Sequence, residues 1–502
     1  MKPRSRNMLL IAICILAVLL LSACGTATPE ANTVAPATAA PETAVPATAA
    51  PEVVATAAPS ALPAVLKMPA QIAGGKPVTI SIVGRPPDSQ ASLLAAWQAS
   101  VARFEKLYPN VAINGTDYAY TPDTFPAMVA ANQVPTLFQA YVTDPDKMIS
   151  QGVAADLTSF YQAQGLDKVY NSNVLSLVSR GGKYYAIPMD MYIQGLGYNM
   201  KMLTDAGYSA PPKTWDELAT MAQKLTNRDA GVSGFAMITG EPHQAGWHTT
   251  VMAYNFGLNS VDIVTGAKGS YKQGWGSSAS VLSTLQYIND LRWKYDVLPR
   301  AGLVWDTNNT AFVNNQSAMT LIAGDVFTWI RQTYPDADMS QLGYAPLPAG
   351  PGGKSVSLMG GNIAFVSAKA TPEQIEAAAY FRLWYQLDPN EIVTRFELSK
   401  SDKTQVVGAP EMPLFTGDYQ TQTAALEKQY ATLPVDNYKL FKDAFATGAS
   451  TVMAEPLIAG QDYYAALGNV VSDIVTKQGV DIPAALAAAA QTFQTNILDK
   501  MQ

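Results

Sequence analysis

The chain has 502 residues, a formal net charge of −7 and two cysteines. An acidic balance argues against nucleic-acid binding, and two cysteines are too few for a disulfide framework or a thiolate metal cluster. The length exceeds a single ordinary hydrophobic core, so more than one domain is expected.

The N-terminus has the pattern of a secretory signal. Three basic residues precede an apolar run over residues 8–21, and these 14 residues are fewer than the roughly 20 that a spanning helix needs. The run ends in Leu21-Ser22-Ala23-Cys24, which resembles the bacterial lipobox, where the cysteine is lipidated and cleavage occurs just before it. We predict a signal peptide over 1–23 and lipidation of Cys24; an ordinary cleaved signal or a short membrane anchor is the alternative.

Residues 24–75 are predicted to form a disordered tether. From residue 26 onward Ala, Thr, Pro and Val dominate, with eight prolines in 50 residues and a ten-residue repeat that begins at Pro36 and again at Pro46. So few large side chains leave nothing to bury. At about 3.1 Å per residue in polyproline geometry, the upper reach of the tether is roughly 150 Å. The folded part is expected from about residue 76 to residue 502.

The folded part opens with the pattern of a βαβ unit. Val78–Ile82 alternates as a strand, an apolar helix face follows at spacings of three and four, and the next strand comes at Val111–Ile113. Ligands of open α/β sheets usually lie at the carboxyl ends of strands. Arg85 follows the first strand directly and is therefore a candidate ligand contact.

A further strand, Pro135–Tyr141, ends near Asp144, and the chain then reaches Gly181–Asn199. This second stretch is extended, but Pro188 lacks an N–H and should interrupt a fully paired central strand. We interpret the stretch as a crossover from one sheet to another, and thus as a connection between two lobes.

Several motifs, in this order, resemble the extracellular solute-binding proteins of ABC importers, in particular the large family 1 that includes carbohydrate binders. They are Lys183–Pro188 followed by Tyr198-Asn199, Pro212–Leu218, Asn314–Met319 before Gly324, Leu347–Pro351 and Gly360–Asn362. Each motif is degenerate alone, whereas the ordered set covers nearly the whole chain after the tether.

The resemblance implies an α/β fold of the two-lobed periplasmic-binding-protein type (type II). Each lobe would be a mixed sheet flanked by helices, with a ligand cleft between the lobes. The hinge crossings would lie near residues 188–194, 358–363 and 445–456. Lobe 1 would comprise 76–188 plus 364–445, and lobe 2 would comprise 192–358 plus 456–502.

A sugar site in such a cleft needs groups that bond hydroxyls and rings that pack on C–H faces. The chain has 47 aromatic residues, 24 of them Tyr. Besides Arg85, the residues expected at the ligand are Tyr141, Asp144, Asp190, Tyr192, Glu241, Trp247, Asp325, Phe327, Trp329, Gly361 and Asn362. Each has a structural alternative as a helix cap, a core ring or hinge packing. The family often has Gly-Pro-Trp where this chain has Gly324-Asp325-Val326. Val326 thus stands at the Trp position, and Phe327 or Trp329 is expected to replace that ring.

Catalytic and cofactor motifs are scarce. His243 and His248 would lie about 140° apart on a helix, which is a poor metal pair, and Gly352–Ser355 imitates a phosphate loop without its first glycine. No cofactor and no metal is therefore predicted. A pair of carboxylates for glycoside hydrolysis stays open, because their separation in space decides it.

The sequence thus predicts a monomeric, lipid-anchored protein on the outer face of a bacterial membrane, which binds a sugar or oligosaccharide and delivers it to an ABC permease. The alternatives are a surface-anchored carbohydrate-active enzyme, a ligand-sensing receptor subunit, or the same fold with a polyamine, phosphorylated polyol or peptide as its solute. Arg85 leaves an anionic ligand open.

Overall fold

The computed structural model describes residues 62–501. The predicted signal peptide, Cys24 and most of the predicted tether lie outside the described residues. None of the helices between residues 62 and 501 combines the length and the apolar character needed to span a bilayer.

A mixed α/β arrangement organises the described residues. The strands are β1 Val78–Ile82, β2 Val111–Gly115, β3 Leu137–Tyr141, β4 Ser179–Arg180, β5 Lys183–Tyr184, β6 Ala186–Asn199, β7 Val264–Thr265, β8 Lys272–Gln273, β9 Met319–Ala323, β10 Leu342–Ala345, β11 Ser355–Val366 and β12 Ser450–Ala454. The main sheet has the order β10-β6-β11-β3-β1-β2, with β9 added to β6 and β12 added to β11.

Helices cover both faces of this sheet. They are α1 Ala91–Leu107, α2 Phe125–Ala130, α3 Pro145–Ser150, α4 Thr158–Gln164, α5 Ser172–Val178, α6 Met200–Asp205, α7 Trp215–Leu225, α8 Pro242–Asn255, α9 Ala279–Trp293, α10 Trp305–Val313, α11 Val326–Thr333, α12 Pro372–Leu387, α13 Pro389–Leu398, α14 Gly417–Tyr430, α15 Lys439–Ala446, α16 Gly460–Thr476 and α17 Ile482–Asn496. Short 3-10 turns lie at Ala73–Gly75, Leu166–Lys168, Ser260–Asp262, Met339–Gln341, Val435–Tyr438 and Leu498–Lys500.

The predicted βαβ unit is confirmed. Strands β1 and β2 pair in parallel, and α1 connects them. β3 joins the other side of β1, also in parallel. The carboxyl ends of β1 and β3 therefore meet at one edge of the sheet, which is where ligand-binding side chains of α/β proteins are usually placed.

The predicted crossover is one continuous strand of 14 residues, β6. Pro188 does not end it, because the register with β11 shifts between Asn362 and Ile363, which pair with Asp190 and Pro188 respectively. Met189 is the extra residue, and this bulge accommodates the missing N–H of the proline. The predicted interruption at Pro188 and the predicted change from one sheet to another are wrong, because β6 runs unbroken through one sheet.

The two long strands β6 and β11 carry the chain between two hydrophobic cores. The first core gathers β1, β2, β3 and the Ala186 end of β6; the second gathers β9, α8, α9, α16 and the Leu196 end of β6. β11 contributes Ile363 to the first core and Leu358 to the second. Their antiparallel pairing over Ala186–Ile193 thus ties both cores to the same pair of strands.

Two predicted boundaries differ from the structure. Residues 62–75 pack against the folded body: Ile72 is fully buried, and the Tyr108 hydroxyl donates to the Pro69 carbonyl at 2.7 Å. Residues 62–75 are therefore part of the folded body rather than of the predicted tether, because this stretch has apolar side chains to bury. Within the predicted first lobe, Tyr438 and Phe441 instead join Phe327 and Tyr344 in a third cluster beside β10.

Helices α8 and α16 approach each other closely through two glycines. A Cβ on Gly246 would lie 2.0 Å from the Tyr464 carbonyl oxygen, and a Cβ on Gly468 would lie 1.8 Å from the Pro242 carbonyl oxygen. A side chain larger than hydrogen at either position cannot be accommodated without moving a helix backbone. Each glycine thus meets the backbone of the other helix.

We expect Gly468→Ala to force α8 and α16 apart and to lower the free energy of unfolding by roughly 1–3 kcal/mol, the usual cost of overpacking a core. The measurement is urea denaturation followed by far-UV circular dichroism. Asn469→Ala is the matched control, because Asn469 is the next residue of the same helix and is exposed. Equal stability of the two variants would contradict the close helix contact.

Candidate functional site

A cavity of about 490 Å³ lies where elements of both cores meet. Its lining contains Tyr141 from the edge of the first core and Trp247 from the edge of the second. The full lining is Thr121, Pro122, Asp123, Thr124, Tyr141, Tyr192, Glu241, His243, Gln244, Trp247, Trp305, Asp325, Asn362, Glu455, Gln461 and Tyr464. Six of the twelve predicted ligand contacts are in this set: Tyr141, Tyr192, Glu241, Trp247, Asp325 and Asn362.

Glu455 is the most buried acid of the lining. It follows β12 and is 3% exposed. Its Oε1 accepts a hydrogen bond from the Trp247 indole Nε1 at 2.8 Å, and the Tyr192 hydroxyl lies 3.5 Å from the same oxygen. The Tyr192 and Trp247 rings meet edge to face with centroids 5.6 Å apart. Three elements, β6, α8 and the end of β12, therefore converge on one carboxylate.

Gly360 makes room for this convergence. It pairs directly with Tyr192 across β6 and β11. A Cβ at Gly360 would lie 2.4 Å from the Tyr192 ring and 2.5 Å from Glu455 Oε1. The bare backbone at this position thus lets the carboxylate and the ring share one side of the strand.

A chain of hydrogen bonds links the two long strands to β3. The Gln139 amide donates to Asn362 Oδ1 at 2.6 Å, and Asn362 Nδ2 donates to Asp190 Oδ1 at 2.8 Å. Asp190 thus holds Asn362, which itself lines the cavity. At Gly361 a Cβ would lie 2.4 Å from the Asp190 carbonyl oxygen. Gly361 therefore permits the close pairing of the strands, as the hinge alternative predicts.

Asp325 and Trp305 also line the cavity. Asp325 precedes α11, and its Oδ1 is buried with no hydrogen-bond partner among the described residues. The Trp305 ring packs edge to face on Trp329 with centroids 5.0 Å apart. Trp329 therefore supports a ring of the cavity without lining it. Phe327 is fully buried in the third cluster, 4.5 Å from the Tyr438 ring centroid.

The N-terminus of α8 supplies Glu241, His243 and Gln244. Glu241 is the N-cap, and its carboxylate accepts hydrogen bonds from the backbone N–H groups of His243 and Gln244 at 3.1 and 2.7 Å. His243 Nδ1 lies 3.0 Å from the Gln461 carbonyl oxygen, and its Nε2 lies 3.6 Å from Asp123 Oδ1. The carboxylate of Glu241 is therefore already engaged by the helix it caps.

Burial without a basic partner raises the pKa values of two acids in the cavity. The pKa of Glu455 rises from 4.5 to about 8, chiefly because of burial, against the opposing hydrogen bond from Trp247. Burial, followed by the charge of Asp190, raises the pKa of Asp325 from 3.8 to about 7. Both carboxyl groups can thus hold a proton near neutral pH, and an uncharged carboxyl can donate as well as accept.

The remaining predicted contacts lie elsewhere. Arg85 pairs with Asp88 and Asp117 at 2.5 and 3.2 Å, outside the cavity lining. Asp144 is 3% exposed and lines a second cavity of about 630 Å³ together with Lys147. That cavity shares Gln461 with the first, where Gln461 Nε2 donates to Thr143 Oγ1 at 3.0 Å.

Sequence reasoning missed Glu455, Trp305, Gln461 and Tyr464. Tyr464 is 1% exposed, and its hydroxyl has no partner within residues 62–501. Glu455 had a usable signal, because it precedes Pro456 at the end of the third expected crossing. The helices that contain Trp305, Gln461 and Tyr464 have Val304 and Ala459 as their N-cap residues, so no Ser, Thr, Asp or Asn marks where these helices begin or which way the three side chains face.

The two histidines, His243 and His248, lie in different surroundings. In the structure His248 is buried, and its Nδ1 accepts a hydrogen bond from the Ile238 N–H at 3.0 Å, while His243 faces the cavity. Within residues 62–501 no group of three or more His, Cys, Asp or Glu side chains is arranged to hold a metal ion.

The family described as bacterial extracellular solute-binding protein matches residues 88–385, more than half of the chain. A probable ABC transporter-binding protein of Deinococcus radiodurans is 27% identical over 295 residues, which cover 56% of this chain and 66% of that protein. The melibiose/raffinose/stachyose-binding protein MelE of Bacillus subtilis is 30% identical over 134 residues, 26% of this chain and 29% of that protein. The chain thus spans less than two thirds of either relative.

Solved structures confirm the predicted two-lobed α/β fold. An ABC transporter solute-binding protein of Thermotoga lettingae, bound with α-D-tagatose, superposes with a TM-score of 0.65 at 19% identity, covering 85% of this chain and 99% of that one. Maltose-bound MalE3 of T. maritima superposes with a TM-score of 0.65 at 19% identity, covering 84% of this chain and 100% of that one. UgpB of Mycobacterium tuberculosis, in complex with glycerophosphocholine, superposes with a TM-score of 0.64 at 16% identity, covering 83% of this chain and 98% of that one. The matched family and both curated relatives are named for binding.

The raised pKa of Glu455 predicts a pH dependence of stability. Between pH 4.5 and 8 the folded state binds more protons at this group than the unfolded state, so its contribution is full below pH 4.5 and is lost as the pH rises to 8. We expect the free energy of unfolding to fall from pH 5 to pH 8 by about 1–3 kcal/mol more in the wild type than in Glu455→Gln.

Urea denaturation at pH 5, 6.5 and 8 measures this difference. Asp325 shifts in the same direction and is unchanged in both proteins, so it cancels in the comparison. Parallel pH profiles of the wild type and the variant would show that Glu455 is not protonated in the folded state.

Proposed function

Since the chain belongs to the bacterial extracellular solute-binding proteins, we propose that it is the binding component of an ABC importer and that it takes a sugar or oligosaccharide into the cavity at Glu455. Closure of the two lobes around the solute would form the state that docks on the permease. The protein would act as a monomer and would hand over its solute unchanged.

The observation that carries the proposal is the pairing of Trp247 with Glu455. An aromatic ring and a buried carboxyl that share one hydrogen bond offer a pyranose both a flat surface for its C–H face and an acceptor for its hydroxyls. Asn362 and Gln461 add amide groups to the same lining. The free oxygen of Glu455 has no partner among residues 62–501, so a ligand hydroxyl could satisfy it.

The relatives support a carbohydrate. The matched Bacillus protein is named for melibiose, raffinose and stachyose, and two superposed structures hold tagatose and maltose. UgpB holds glycerophosphocholine, a phosphorylated solute. An anionic ligand is less favoured here, because Arg85 lies outside the cavity and is paired with two carboxylates.

A thermal-shift screen of the purified protein against mono- and oligosaccharides, together with polyols, polyamines and short peptides, tests the proposal. A sugar at a hundredfold excess over its Kd should stabilise the protein by about 2.7 kcal/mol, and chromatography should recover it intact. Breakdown of the sugar, or stabilisation by solutes of another class alone, would contradict the proposal.

Trp247→Phe keeps a ring but removes the N–H that bonds Glu455. We expect it to weaken binding of the best sugar by about tenfold, because the smaller ring offers the sugar less surface and Glu455 loses the donor that holds its orientation. Trp293→Phe is the matched control, because it also deletes one indole donor, to the Ile474 carbonyl, away from the cavity. Calorimetric titration compares them; equal affinities would remove Trp247 from the site.

The proposed anchor is the lipid on Cys24, with residues 25–61 as the tether. Two acyl chains hold a protein stably at a membrane, whereas one holds it marginally. We expect Cys24→Ser to be released into the medium while the wild type sediments with membranes, as immunoblots of both fractions would show. Wild-type and variant protein in the same proportions in both fractions would argue against lipidation.

A further inference from the structure

The cavity has an unbalanced charge. Four of its lining residues carry carboxyl groups: Asp123, Glu241, Asp325 and Glu455. Among the described residues of the lining, none is Lys or Arg, and His243 is the one basic side chain. Carboxylates also bond the hydroxyls of a neutral sugar, but with no Lys or Arg in this lining the negative charge of four of them is left uncompensated.

Two of the four carboxyl groups are already engaged. Glu241 caps α8 through two backbone N–H groups, and Asp123 lies 3.6 Å from His243 Nε2 at the exposed rim. Each of the other two has one oxygen without a partner, although the second oxygen of Glu455 accepts the hydrogen bond from Trp247. Asp325 Oδ1 and Glu455 Oε2 are buried, with no hydrogen-bond partner in the part of the chain that the structure describes.

The charges of Asp325 and Glu455 both affect the Tyr192 hydroxyl. Burial, followed by the charges of Glu455 and Asp325, raises the pKa of the Tyr192 hydroxyl well above its ordinary value. Neither acid has a basic neighbour that lowers its own pKa. A buried carboxylate without a counter-charge is costly, and a cation brought by a ligand would remove that cost.

Aromatic rings complete the environment. Tyr141, Tyr192, Trp247, Trp305 and Tyr464 all line the cavity. The faces of such rings attract an ammonium group, and the attraction grows as water is excluded. Carboxyl groups together with ring faces are the surroundings that a protonated amine requires, and the same rings pack on the C–H faces of a sugar.

We propose that the solute is an amino sugar, a mono- or oligosaccharide whose protonated amine lies between Asp325 and Glu455. The inference rests on the proposed carbohydrate function and names the class of sugar. The amine would donate to the free oxygens of the two carboxylates, and the rings would hold the pyranose.

Calorimetric titration of the full-length protein at pH 7 with matched sugars tests this. One set is glucosamine, N-acetylglucosamine and glucose; a second is the corresponding galactose series; a third is β-1,4-linked diglucosamine, its diacetyl form and cellobiose. In at least one set we expect the free amine to bind at least tenfold more tightly than both neutral members. The acetylated member controls for the size of the substituent.

Glu455→Gln and Asp325→Asn should bring that ratio close to one, because each removes a charge and keeps the shape. Asp216→Asn, on the exposed start of α7, should leave the ratio unchanged. If a neutral sugar binds as tightly as its amine, the inference is overturned and the carbohydrate function stands. If no member of any set binds, the inference is overturned, whereas the carbohydrate function is decided by the thermal-shift screen of the wider range of sugars.

Discussion

The pairing of β6 with β11 is the constraint on which the rest of the structure depends. The two strands are shared by both hydrophobic cores, and their bulge at Met189 lets Pro188 remain inside a central strand. The same pairing sets Tyr192 opposite Gly360 and Asp190 opposite Asn362. The strands that connect the two cores therefore also carry residues of the cavity lining. A change in the register of β6 and β11 would disrupt both the core connection and the cavity.

Glu455 contacts both the long strands and helix α8. Its carboxyl is buried, bonded by Trp247 of α8, and placed against the bare backbone of Gly360. The glycine contacts between α8 and α16 fix the position of Trp247 relative to Tyr464. The fold thus holds an acid in a setting that raises its pKa to about 8, a cost that a bound ligand can offset.

Much of this could be predicted from the sequence, and the remainder has physical causes. Alternation and the three- and four-residue spacing of apolar side chains placed β1 and α1 correctly, since those signals are local. Tyr192 and Asn362 were found because they lie in crossings marked by proline and glycine. Phe327 was assigned to the ligand, whereas it fills the third cluster, because helix facing depends on distant partners such as Tyr438. Whether the six predicted residues in the cavity touch a ligand stays a prediction.

The most direct test of the account is a crystal structure of the protein with the sugar that binds most tightly in solution. We expect the sugar in the 490 Å³ cavity, with a sugar ring packed on Trp247 and a polar group bonded to Glu455. Electron density for the sugar in the second cavity, beside Asp144 and Lys147, with the first cavity empty, would contradict it.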